Sequence, residues 1–259
     1  MEVVIVPDAA AGGRLVADVV AAAVADGEPA IGLATGSSPL LAYEELIRRH
    51  REDGLSFARV SAWLLDEYVG LTAGHPESYR QVIRAALTDH LDIDEGAVHA
   101  PDGTAPDPMR AAAEYEARLA AAGPIRVQIL GIGGNGHLGF NEPGSSLASL
   151  TRVKTLTDRT RTDNSRFFAD ISEVPRHVIT QGLGTIRRAR HLVLTASGAH
   201  KADAIAAAVE GPLTASCPAS VLQLHPHVTV VVDEAAAAKL VRSEYYRETL
   251  AHKPLTQGF

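Results

Sequence analysis

Gly133-Gly134-Asn135-Gly136-His137, followed at once by Phe140-Asn141-Glu142-Pro143, crowds an imidazole, an amide and a carboxylate onto one glycine-rich turn. An imidazole beside a carboxylate can exchange protons near neutral pH, and glycines let backbone donors approach a small polyol. His137 has no apolar face to pack on in this stretch, which favours a working side chain over a structural one. A second candidate is Asp66, in Asp66-Glu67-Tyr68-Val69-Gly70-Leu71, directly after the apolar Trp63-Leu64-Leu65. A carboxylate desolvated at the carboxyl end of a strand gains basicity, as removal of a carbon-bound proton requires. Asp66 and Glu67 point to opposite faces if both keep strand geometry, so one of them enters a given pocket, and Asp66 is the choice. The neighbouring His75-Pro76-Glu77-Ser78-Tyr79 reads as a turn and helix start.

An anion site is the third element. Ala34-Thr35-Gly36-Ser37-Ser38-Pro39 follows an apolar run and opens a helix, with Ser38 suited to the N-cap and Pro39 to the first helical position. Thr35, Gly36, Ser37 and Ser38 there offer hydroxyls and free backbone amides to a phosphate, although an ordinary capped turn selects the same residues. Arg166, within Asn164-Ser165-Arg166-Phe167-Phe168, and Lys201, after Ser197-Gly198-Ala199-His200, are the cations that could join it.

Two other uses of these residues fit less well. Gly131-Ile132-Gly133-Gly134-Asn135-Gly136 matches G-x-G-x-x-G, but Gly139 and Pro143 interrupt the helix that a dinucleotide site needs. His137, Glu142 and Asp66 could in principle form a facial metal triad, yet no His-Glu-x-x-His, paired cysteines or aspartate-rich loop supports a metal. His225-Pro226-His227 reads as surface histidines, and Cys217 as a packing residue.

These groups have to be carried by a frame. Short apolar runs at residues 3–6, 30–34, 60–65, 126–130, 177–180, 191–195 and 228–232 alternate with helical stretches, the pattern of βα units. Leu15, Val16, Val19, Val20, Ala23 and Val24 form one apolar stripe, and residues 109–122 and 200–209 read as crossover helices. Residues 92–108, with Gly96, Pro101, Gly103, Pro106 and Pro108, read as a long surface connection inside one domain. The expectation is α/β: one domain spanning residues 1–259, a doubly wound (Rossmann-like), mostly parallel sheet with helices on both faces. The run at 126–130 then delivers the glycine turn to the carboxyl edge of the sheet, where such folds bind ligands.

With 259 residues, 46% of them hydrophobic, the chain can bury a large core. The net charge of −7 argues against a nucleic-acid or anionic-membrane partner, so an anionic ligand must meet a local basic pocket. One cysteine excludes an internal disulfide, the start Met1-Glu2-Val3-Val4 lacks a signal-peptide pattern, and no apolar run suits a spanning helix. A cytoplasmic location follows as an expectation.

Taken together, the chain resembles the glucosamine-6-phosphate deaminase family. The segments that carry the resemblance, in order, are Leu33-Ala34-Thr35-Gly36-Ser37-Ser38-Pro39, Leu65-Asp66-Glu67-Tyr68-Val69-Gly70-Leu71, His75-Pro76-Glu77-Ser78-Tyr79, Gly136-His137 with Phe140-Asn141-Glu142-Pro143-Gly144-Ser145-Ser146, Thr151-Arg152-Val153-Lys154-Thr155-Leu156-Thr157 and Leu222-Gln223-Leu224-His225-Pro226. The resemblance implies conversion of glucosamine 6-phosphate and water to fructose 6-phosphate and ammonia, a step of amino-sugar metabolism and N-acetylglucosamine catabolism, with no cofactor and no metal. It implies that His137 assists ring opening, tuned by Glu142 and Asn135, and that Asp66 moves a proton between C2 and C1. Thr35, Gly36, Ser37, Ser38, Gly136, Arg166 and Lys201 match the substrate and phosphate contacts.

Two departures accompany the match. Well-known members carry aspartate where this chain has Asn135, which cannot raise the basicity of His137 by charge, so Asn135 is expected to orient His137 by hydrogen bonding. Residues 241–259 do not follow the longer tail of the allosteric hexameric members, although Arg152 and Lys154 match positions that bind an amino-sugar effector there; a basic strand face is the competing reading. Monomer and homo-oligomer both remain open. Two alternatives to deamination stand beside it. An inactive sugar-phosphate sensor would be expected with a DNA-binding segment, and no basic helix-turn-helix stretch precedes Pro7 or follows Leu240. A phosphogluconolactonase-like hydrolase would have no need of a base at C2, so Asp66 discriminates.

Overall fold

The computed structural model describes residues 1–27, 29–254 and 257–259, the side chains of Arg159 and Asp163 excepted. The strands are β1 (Glu2–Val6), β2 (Ala30–Leu33), β3 (Ser61–Leu64), β4 (Asp66–Tyr68), β5 (Val98–His99), β6 (Val127–Leu130), β7 (Arg152–Thr155), β8 (His177–Thr180), β9 (His191–Ala196) and β10 (Val228–Asp233). Seven of them form one sheet in the order β1-β10-β9-β6-β2-β3-β5, and every neighbouring pair in it is parallel. Strands β6, β9 and β10 lie inside this sheet and are buried on both faces, which is why they read as near-continuous apolar runs.

The helices are α1 (Ala9–Ala25), α2 (Leu40–Asp53), α3 (Tyr79–Ala86), α4 (Pro108–Ala122), α5 (Asp158–Asn164), α6 (Leu183–Ile186), α7 (Ala202–Val209), α8 (Glu234–Ala237) and α9 (Ser243–Ala251). Asp8 caps α1 by accepting the Ala11 N–H, and Val16, Val19, Val20, Ala23 and Val24 bury its expected stripe. Alternate residues of each strand serve the two faces of the sheet. Val4 and Val6 pack with α1, α2 and α3, whereas Val3 and Ile5 pack with α4, α7 and α8. The doubly wound arrangement is therefore present, with one core on each face. Among the described residues no helix is long and apolar enough to cross a membrane.

Four local readings are corrected. The run at 177–180 does not join the large sheet; β8 is the centre of a separate antiparallel sheet, β4-β8-β7. The stretch 92–108 is not wholly a connection, because Val98 is buried and β5 closes the edge of the large sheet beside β3. Helix α2 begins at Leu40, with Pro39 as a cap that makes no side-chain bond, so Ser38 is not the N-cap. His225 is buried rather than superficial, its ring nitrogens lying 2.8 Å from the carbonyls of His227 and Ala189.

The two sheets join at Leu64 and Leu65. The Leu64 carbonyl accepts from Tyr115 Oη at 2.6 Å and from Gln181 Nε2 at 3.1 Å, and the Leu65 carbonyl accepts the Gln181 N–H at 2.8 Å. The chain thus leaves the parallel sheet at β3 and enters the small sheet at Asp66 in a single step.

Candidate functional site

Asp66 opens β4 and faces Thr180 across the antiparallel ladder. Its side chain is 5% exposed, and burial, reinforced by the charge of Glu67, pushes its carboxyl from 3.8 up to about 8. Glu67 points the other way and has a structural task. It accepts the backbone N–H groups of Tyr68, Tyr79 and Arg80 at 2.8, 2.9 and 3.0 Å, tying the start of α3 to β4. Burial raises the Glu67 carboxyl as well, but these three donors oppose it, whereas no donor is among the causes that act on Asp66. Ser78 caps α3, placing Tyr79 at its first turn. Tyr79 bonds Thr35 and lies close enough to Asp66 for the carboxylate charge to add to the effect of burial in raising its phenol. Tyr79 therefore joins the surroundings of Asp66 to the 35–38 loop.

The glycine turn leaves β6 as expected. Its shape rests on the Gly133 N–H to His137 carbonyl bond at 3.0 Å and the Gly136 N–H to Gly133 carbonyl bond at 2.9 Å. Gly136 has φ +83°, a left-handed conformation open to glycine, and a Cβ there would stand 2.6 Å from Cys217 Sγ. The His137 ring lies over Gly133 so closely that a Cβ at that position would collide with the imidazole. Glu142 Oε1 is 3.7 Å from His137 Nδ1, and Asn135 Nδ2 donates to Glu142 Oε2 at 2.7 Å. Asn135 meets His137 through the backbone, its Oδ1 accepting the His137 N–H at 3.2 Å. Asn135 thus ties the His137 backbone and the Glu142 carboxylate into one turn.

The turn then runs past Asp66. A Cβ on Gly139 would stand 3.1 Å from both Asp66 Oδ2 and Thr180 Oγ1, and the Phe140 N–H donates to Thr180 Oγ1 at 3.2 Å. Asn141 Nδ2 donates to the carbonyls of Leu138 and Gln181 at 2.9 and 2.8 Å, locking the turn onto the small sheet. The loop that carries His137 therefore also passes the Asp66 carboxyl.

On the other side of the same turn lie the phosphate candidates. Gly36 has φ +96°, and Ser38 packs against Gly131, 3.5 Å from where its Cβ would be. Lys201 Nζ donates to the Ile132 carbonyl at 2.7 Å, and its ammonium is lowered by burial and then by the charge of Arg166. Those contacts bring Lys201 and the 35–38 loop to the strand-proximal end of the turn, and Arg166 lies near enough for its charge to act on Lys201. Arg152 and Lys154 sit elsewhere, on β7, separated from β4 by β8. Arg152 is half-buried, which lowers its guanidinium, and it donates to the Leu150 carbonyl at 3.4 Å.

Three contributors escaped sequence reasoning. Tyr79 and Thr180 touch the Asp66 environment from other elements, and Thr160 Oγ1 donates to Glu142 Oε1 at 3.0 Å. A Thr-x-x-Thr pattern at a helix start was the available signal for Thr160, and it reads first as capping.

A doubly wound, mostly parallel sheet with helices on both faces and a glycine turn carrying His137 at its carboxyl edge places the protein in the Rossmann-like α/β class. The model of the family described as glucosamine-6-phosphate isomerases/6-phosphogluconolactonase matches residues 8–231, and the chain belongs to that family. It is 59% identical over 259 residues, all of both chains, to a protein of Rhodococcus opacus (strain B4) named glucosamine-6-phosphate deaminase. It is 57% identical over 260 residues, again all of both chains, to one of the same name from Streptomyces coelicolor (strain ATCC BAA-471 / A3(2) / M145). A solved monomeric glucosamine-6-phosphate deaminase superposes with a TM-score of 0.90 at 37% identity, covering 92% of this chain and all of that one. The 6-phosphogluconolactonase of Trypanosoma cruzi, at 20% identity and a TM-score of 0.71 over 93% of this chain and 97% of its own, shares the fold.

Proposed function

We propose that this protein is a cofactor-independent glucosamine-6-phosphate deaminase, hydrolysing a C–N bond to give fructose 6-phosphate and ammonia. The full-length relatives of that name support the reaction, and the observation that carries the residue assignment is Asp66, buried beside the His137 turn with its carboxyl at about 8. Arg166, Lys201 and the loop of Thr35, Gly36, Ser37 and Ser38 hold the phosphate, with Gly136 contributing backbone close to the sugar. His137, held by Glu142 and Asn135, exchanges the proton that opens the pyranose ring.

The open chain then presents its C2 hydrogen to Asp66. The carboxylate takes that proton as the C1 carbonyl oxygen gains one given up by the substrate's ammonium, giving an enolamine, and returns it to C1 to leave an iminium at C2. Water adds to the iminium carbon and ammonia departs, so one water is consumed and no electrons leave the substrate. A base near 8 keeps enough basicity for a weakly acidic C–H while half ionising at mildly alkaline pH. The same reading makes the protein a cytoplasmic enzyme with a small-molecule partner and no nucleic-acid or membrane partner, supported by its acidic charge and its relatives' names. Arg152 and Lys154 remain a candidate effector position on β7.

The test is ammonia release from glucosamine 6-phosphate compared with its N-acetylated form. Only the unacetylated sugar should react, and Asp66→Asn should lower kcat by about 10³-fold, the scale of a lost general base, with KM little changed. Normal turnover by Asp66→Asn would remove Asp66 from the mechanism.

A further inference from the structure

Glu142 is gripped from two directions, and one grip comes from a different part of the chain. Asn135 supplies a donor to Oε2 from within the turn, whereas Thr160, on α5, supplies one to Oε1, the oxygen that faces His137 Nδ1. A carboxylate oxygen accepts, which sets the polarity of the hydroxyl chain: Thr160 donates to Glu142 and receives from Thr157, whose Oγ1 is 2.9 Å away. Thr157 is the N-cap of α5 and also accepts the Thr160 N–H at 3.1 Å, so the hydroxyl pair is fixed to the backbone.

The same segment makes two further connections. Asn164 Nδ2 donates to Tyr68 Oη at 2.9 Å, and Tyr68 lies on β4 two residues from Asp66. Arg166 follows in the next turn, where its charge acts on Lys201. Residues 157–166 therefore touch Glu142 of the ring-opening pair and the strand of the proposed base, and carry Arg166.

With Asn135 alone, the Glu142 carboxylate could swing about its Oε2 contact. A second donor on the opposite oxygen fixes the carboxylate plane, and hence the direction of Oε1. We propose that Thr160 is a positioning residue for deamination: its hydroxyl aims Glu142 Oε1 at His137 and couples that pair to the segment that carries Arg166. The proposal rests on the deaminase reading above.

Thr160→Val, which keeps the shape and removes the hydroxyl, should lower kcat about tenfold, the kinetic equivalent of one hydrogen bond to a charged group. KM for glucosamine 6-phosphate should stay within about twofold, because the phosphate contacts are intact. Thr160→Ser should restore wild-type behaviour to within about twofold, as the hydroxyl is retained. Should Thr160→Val not fold, the same comparison is made between Thr160→Ala and Thr160→Ser. Wild-type kcat in the hydroxyl-free variant, a loss that falls on KM instead of kcat, or equal impairment in the serine variant would overturn the role of the hydroxyl while leaving deamination standing. Absence of ammonia release by the wild-type protein would instead bring down the parent reading, and this proposal with it.

Discussion

Asp66 and Glu67 show how two adjacent carboxylates acquire different chemistry from direction alone. Both are buried, but Glu67 turns to the amides at the start of α3, and Asp66 turns toward Gly139. Because the Asp66 carboxyl is raised to about 8, kcat/KM should climb with pH and level off above that value, as the ionised form is the base. Stability should move the opposite way. Between about 4 and 8 the folded state holds a proton that the unfolded chain has released, so unfolding sheds a proton and is favoured as pH rises. Asp66→Asn removes this linkage, and its melting temperature relative to wild type should increase steadily from pH 4 to pH 8. A difference that stays flat across that range would show that burial does not raise this carboxyl.

At the level of elements, the 131–142 turn depends on what its glycines leave out. Gly133 gives the His137 ring its resting place, so Gly133→Ala should displace the imidazole from Glu142 while leaving the phosphate contacts in place. We expect kcat to fall by roughly 10²-fold, the cost of misplacing a reacting group by about 1 Å, with KM nearly unchanged. A variant with wild-type kcat would show that the ring needs no such seat. This turn was legible in the sequence because its glycines, histidine and carboxylate are contiguous. Strands β6, β9 and β10 were legible for a different reason: burial on both faces leaves a continuous apolar run. Strands β4 and β5 were not, since three and two residues carry no periodicity and β5 lies among prolines and glycines. Thr160 was hidden because its hydroxyl lies 18 positions from Glu142, and a hydroxyl at a helix start has a local explanation.

For the whole molecule, the decisive fact is that the proposed site residues Asp66 and His137 lie where two sheets meet, which a strand-by-strand reading does not anticipate. The run 177–180 has the composition of any half-buried strand, and only tertiary pairing assigns it to the antiparallel sheet that holds Asp66. Gln181 fastens that sheet to the large one, its backbone N–H reaching the Leu65 carbonyl and its side chain the Leu64 carbonyl. Its own carbonyl also receives Asn141 from the glycine turn, so one residue connects β3, β8 and the His137 loop. Gln181→Met keeps the volume and removes the side-chain donor in a fully buried position. That loss should cost about 1.5 kcal/mol, or a few degrees of Tm for a chain of this size. If the junction also sets the distance between Asp66 and His137, kcat should fall roughly tenfold under conditions where the variant is fully folded, since small misplacements act on rate more than on stability. The measurement pairs thermal unfolding with ammonia release at a temperature well below both transitions. A variant that loses stability but keeps full kcat would mean that the backbone bonds of Gln181 alone hold the two sheets in register.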